Sequence, residues 1–181
     1  MLKFAAALFA SLAIAAPSVA APVTGSMQDH QELWAALNEN GVTTYINHEQ
    51  CEVMEAAGFY VSAYNVLVVC QDNRVNSDVE VAWTANDLDT LRHEAHHVVQ
   101  DCAVGTQGDN QLGSIFNNDE DWKQFILNSG YSREELNAIA EAYASRGADE
   151  NTLIIELEAF AVANSVNAST IADAVRHYCG S

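Results

Sequence analysis

Between Thr90 and Cys102 the chain reads TLRHEAHHVVQDC, which gathers His93, Glu94, His96 and His97 into five residues. On a helix, side chains four apart stand one above the other on a single face, so His93 and His97 can turn two imidazoles toward one metal ion. Glu94 stands one step round, near enough to touch a ligand of that ion without binding the ion itself. His96 falls on another face and is not needed. Two imidazoles with an adjacent carboxylate, at the H-E-x-x-H spacing, are the parts that metal-assisted hydrolysis requires. The ion activates a water and the carboxylate takes its proton.

Two histidines do not complete a catalytic zinc site; a third protein ligand is expected, with water in the fourth position. The metzincin arrangement would put another histidine six residues after His97, but Ala103 is there, and Gln100 replaces the intervening glycine. The remaining source is a glutamate on a later helix. LIIELEAFAVAN offers Glu156 and Glu158, which point in different directions, so only one can face the metal. Glu156 shares its face with Thr152, Ala159 and Ala163, small residues that let another helix come close, whereas Glu158 lies beside Ile154 and Val162. Glu156 is the expected ligand and Glu158 the alternative. The segment is apolar nearly all round, and a carboxylate in such a setting needs a partner.

The histidine segment has its own apolar stripe, Leu88, Leu91, Ala95, Val98 and Cys102, at three-and-four spacing. That pattern predicts a helix which buries one side and turns His93 and His97 toward a cleft. Asn86 is the expected N-cap, with Asp87 and Asp89 complementing the dipole, and Gly105 the expected stop. Upstream, MQDHQELWAALNENG predicts a helix ending at Gly41, and VTTYIN is β-prone. Two β-rich runs follow, Phe59 to Ser62 and Val66 to Cys70, with a turn near Tyr64 and Asn65. VEVAW is a further candidate strand. Downstream, NDEDWKQFILNSG is helical to Gly130, and SREELNAIAEAYASRG opens on a Ser132–Glu135 capping box and ends at Gly147. ENTLIIELEAFAVANS and STIADAVRHYC close the chain as helices. Strands first and helices after predict an α+β fold, a small antiparallel sheet beside a helical bundle that carries the histidine helix.

The chain has 181 residues, enough for one domain with a proper core. Residues 1–20 are not part of it. One cation, Lys3, an apolar run from Phe4 to Ala16, and small residues up to Ala20 describe a secretory leader cut after Ala20 or Ala21. The apolar run is too short to span a bilayer comfortably, and Pro17 ends it. Residues 21–181 are then a single exported domain, periplasmic or extracellular. Its formal charge of −18 becomes one unit more negative without Lys3, which disfavours nucleic acid and anionic membranes as partners. Four cysteines in an exported chain imply two disulfides. Of the three pairings, Cys51–Cys70 and Cys102–Cys179 are favoured, because the first flanks one local unit and the second staples the C-terminus to the histidine helix. No CxxC spacing supports a thiolate metal site.

HEAHHVVQ followed by ELEAFA resembles the zincin metallopeptidases, in particular the glutamate-zincin (gluzincin-like) branch. The likeness extends from about Gly58 to Ala163. It implies zinc held by His93, His97 and Glu156, with Glu94 as the general base for a zinc-bound water that attacks the peptide bond of a peptide or protein substrate. Several such families carry an acidic residue four positions after the ligand glutamate, where this chain has Phe160. A further donor to the oxyanion is usual, and Tyr131, Tyr143, His177 and Tyr178 are candidates. The strand around Val66 to Val69 could pair with an extended peptide if its edge is open. Two other readings are a zincin-like domain that uses metal without catalysis, and a disulfide-stapled interaction protein with no metal.

Overall fold

The computed structural model describes residues 24–54, 56–71, 82–105, 107, 109 and 111–180. The expected leader and most of the VEVAW candidate strand lie outside them. In chain order the elements are α1 (Met27–Glu39), β1 (Thr43–Ile46), α2 (Gln50–Met54), β2 (Gly58–Val61), a 3-10 turn (Ser62–Tyr64), β3 (Val66–Val69), α3 (Ala85–Val104), α4 (Asp119–Asn128), α5 (Arg133–Ala144), α6 (Glu150–Ser165) and α7 (Ala168–Cys179). The class is α+β. No described helix is long and apolar enough to cross a membrane.

The three strands run in the order β1-β3-β2, and the sheet is mixed rather than antiparallel. β2 and β3 form an antiparallel hairpin in which Gly58 faces Val69. Its turn closes on Asn65, in the left-handed region at φ 51°, a conformation asparagine tolerates better than most residues. β1 pairs with β3 in parallel, Thr43 opposite Val66. The chain leaves β1 through α2 and β2 before it enters β3, and that crossover fixes the direction. β3 is therefore the central strand, paired on both sides, so the edge pairing with a peptide expected at Val66 to Val69 is not available there. α2 was not foreseen, since five residues carry too little periodicity to read.

α3 runs through the middle of the molecule. With α1 and α7 it closes the main core around Leu33, Leu37, Leu91, Val98, Ile171 and Val175. α6 packs along it, α4 and α5 pack on α6, and β2 and β3 also rest on α3. Every α3 residue from Thr90 to Asp101 is buried, so the histidine side does not face an open cleft. The helix begins two residues earlier than expected. Thr84 is the N-cap, accepting a hydrogen bond from the Asp87 backbone N–H while the Asp87 carboxylate accepts one from the Thr84 N–H. Asn86 has an acidic residue at the same three-residue spacing, Asp89, but that carboxylate is paired with Arg92 at 2.9 Å, whereas Asp87 closes the box on Thr84. The foreseen Ser132–Glu135 box is present, and α5 gives way at Gly147, φ 89°, a backbone state glycine adopts without penalty.

Gly58 lets the sheet come close to α3. A Cβ there would lie 2.5 Å from Thr90 Cγ2 and 2.7 Å from the Val68 carbonyl oxygen. The cysteines pair as expected. Cys51–Cys70 ties α2 to the end of β3, and Cys102–Cys179 ties the last turn of α3 to the last turn of α7.

Candidate metal centre

His93 and His97 stand one turn apart on α3, and α6 brings Glu156 across from them. His93 Nε2 and His97 Nε2 are 3.1 Å apart, and Glu156 Oε2 lies 3.4 Å from the first and 3.6 Å from the second. Ligand atoms roughly 2.0–2.2 Å from a tetrahedral zinc are separated by roughly 3.3–3.6 Å, so the triangle matches a shared ion. Glu156 Oε2 is buried and has no hydrogen-bond partner among the described residues, a costly state for a carboxylate oxygen unless a cation supplies its partner. These three residues could hold a metal ion. The close approach rests on the small residues of α6, since Ala159 and Ala163 are wholly buried.

The electrostatics describe the same position holding a proton. Burial opposes charge on His97, but Glu156, then Glu94 and Gln100, override it and carry the imidazole up to about 9. Burial likewise pushes against ionised Glu156, yet the two imidazoles hold its carboxyl far below the usual carboxylate range. His93 is lowered, chiefly by burial, and is the neutral ring of the pair. An imidazolium and a carboxylate thus face each other across a site sized for a cation.

Glu94 sits on the same turn with both carboxylate oxygens buried and neither in hydrogen-bond geometry. Burial, with a further contribution from Glu156, raises it to about 8, which His97 and the nearby Tyr60 backbone only partly offset. Of the four oxyanion candidates, Tyr143 is the one near these groups. Its hydroxyl is within hydrogen-bonding reach of Glu156, and burial and the two carboxylates keep it protonated. Tyr131 lies by Asp89 and Arg92, His177 is exposed on α7, and Tyr178 packs against the main core. Phe160 lays its ring 4.5 Å from that of His93, and His93 Nδ1 has no hydrogen-bond partner among the described residues.

Glu158 is not a surface charge. It is fully buried against α3 and accepts hydrogen bonds from His96 Nε2 at 2.8 Å, Gln100 Nε2 at 3.0 Å, the Ile115 N–H at 3.2 Å and the Ser114 hydroxyl. Gln100 also meets His97 Nδ1 at 2.7 Å. The sequence assigns no role to His96 or Gln100, because Glu158, which engages both, lies 62 and 58 residues away. Arg92 is likewise enclosed, bonded to the Ala163 carbonyl, His30 and Asp89, and so ties α3 to α6 and α1.

The domain of unknown function DUF8637 matches residues 23–180, and the chain belongs to that family. No curated protein and no solved structure matches the chain.

Proposed function

We propose that this member of the DUF8637 family is an exported zinc-dependent metallopeptidase. The observation that carries the reading is the triangle of His93 Nε2, His97 Nε2 and Glu156 Oε2 with the unengaged Glu94 carboxyl beside it. His93, His97 and Glu156 would hold the zinc, which would supply a Lewis acid and bring the pKa of water at the site toward neutrality. Glu94 takes the proton from the attacking water and passes it to the leaving amine. A base in this position has no use in a purely structural site. Tyr143 holds its hydroxyl toward the same carboxylates and is the candidate donor to charge that develops on the substrate oxygen. Two disulfides are consistent with export, the setting in which such bridges persist.

The test is Glu94→Gln, with zinc content measured beside turnover of a mixed peptide library. The variant is expected to keep its zinc and lose roughly 10²–10⁴-fold in rate. Full turnover in that variant removes the general base. A second reading, metal bound for stability without catalysis, is favoured by the enclosure of the site, with His97 and Glu94 at 0% exposure. A wild-type chain that holds zinc, melts lower without it and cleaves nothing supports that second reading.

A further inference from the structure

The Gln100 amide has two ends, and its neighbours decide which way it points. Its Nε2 lies 3.0 Å from Glu158 Oε1 and 3.2 Å from the Ile155 carbonyl oxygen. Neither partner has a hydrogen to give, since an ionised carboxylate and a carbonyl only accept. The NH₂ end must face them, so the carbonyl end faces His97, with Oε1 2.7 Å from Nδ1. An oxygen there can only accept, so His97 must carry its hydrogen on Nδ1. Nε2 is then the ring nitrogen that faces His93 and Glu156, and the one that would exchange its proton for a metal ion.

We propose that Gln100, held in one orientation by Glu158, is the positioning residue that commits His97 to bind metal through Nε2. This rests on the proposed metal site and adds what selects the ligating atom. Glu158, the alternative ligand in the sequence, instead acts one layer out. Its Oε1 also accepts from His96 Nε2 and the Ile115 N–H, and its Oε2 accepts from Ser114, so the carboxylate is fixed by α3 and by the 111–117 loop together. His93 has no equivalent among the described residues: its Nδ1 has no hydrogen-bond partner there, and the rings of Phe160 and His97 pack on the imidazole. The two histidines are therefore unequal. The orientation of His97 is set before metal arrives, which is how an outer hydrogen bond strengthens a ligand.

The experiment uses the full chain stripped of metal by a chelator and titrated with zinc against a competing indicator, in wild type, Gln100→Leu and Glu158→Gln. Ring-nitrogen NMR of the zinc-loaded proteins reads the tautomer of His97. Gln100→Leu is expected to weaken zinc binding about 10–100-fold and to remove the hydrogen-bonded Nδ1–H signature. Glu158→Gln keeps an acceptor at Oε1, with Ser114 able to turn and accept from the new amide, so it is expected to stay close to wild type. A variant in which Gln100 merely packs helices would lose stability while zinc affinity and ring-nitrogen signals held, and that result overturns the inference. If Gln100→Leu does not fold, the wild-type spectrum decides: coordination through Nε2 with a protonated Nδ1 supports the assignment, and coordination through Nδ1 sinks it. A wild-type chain that takes up no zinc overturns the metal reading and this one together, whereas equal affinities in wild type and Gln100→Leu overturn only this one.

Discussion

Nε2 of His97 lies 3.6 Å from Glu156 Oε2 and 3.1 Å from Nε2 of His93, so a single metal ion can be shared by all three atoms, and without one a proton on His97 sets positive charge beside the Glu156 carboxylate. The protein without metal is then a protonated form of the same site.

Zinc must displace that proton. With His97 raised to about 9, binding near pH 7.5 is expected to release protons, measurable as a buffer-dependent enthalpy in calorimetry across buffers of different ionisation heat. A binding enthalpy that is identical in every buffer contradicts the pairing.

The same groups set the pH dependence of stability in the metal-free chain. The raised His97 contributes stability that is fully present below its unfolded value of 6.5 and is lost as pH rises through about 9. Glu94, raised from 4.5 to about 8, acts in the same direction, because the unfolded chain ionises it first. Depressed Glu156 contributes stability present above 4.5 and lost toward acid. Melting temperature with chelator should therefore fall between pH 6.5 and 9, while the added stability from zinc grows over the same window as proton competition fades. A gap between the two melting curves that does not change with pH would count against the shared site.

Glu156→Ala removes a ligand, and is expected to cost more zinc affinity than the roughly 10–100-fold typical of a supporting residue. Bound zinc after dialysis, read by atomic absorption, checks this. Zinc retained at the wild-type level would pass the ligand role elsewhere.

Gly58→Ala forces a methyl group onto Thr90 Cγ2 and the Val68 carbonyl. Overpacking of this kind is expected to cost about 1–3 kcal/mol in urea unfolding. Adding Thr90→Ser should recover only part of it, because the clash with backbone remains.

The two bridges enclose 19 and 77 residues of separation, so in the chain-entropy account each contributes on the order of 3–4.5 kcal/mol. Replacing Cys102 and Cys179 by serine should cost more than replacing Cys51 and Cys70, in urea unfolding monitored by far-UV circular dichroism.

What could be read in the sequence was whatever depends on local period and local chemistry. His93 and His97 share a face because a helix turns every 3.6 residues, and the Ser132–Glu135 cap follows from a three-residue spacing. The small residues around Glu156 announced a close helix contact, and an even count of four cysteines announced two bridges. Some local readings had a local rival, as where Thr84 rather than Asn86 caps α3 while Asp89, the acid that could have boxed Asn86, pairs with Arg92. The direction of β1 against β3 was decided by the path of the chain through α2 and β2, which no alternation of side chains encodes. Enclosure of the histidine face was decided by α6 closing over it, since amphipathicity reports how apolar a face is and not what covers it. The role of Glu158, and through it the orientation of Gln100, belongs to the tertiary structure alone. Their hydrogen bonds join α3 to α6 and to the 111–117 loop, and a bond between residues some 58 positions apart leaves no trace in the spacing of either.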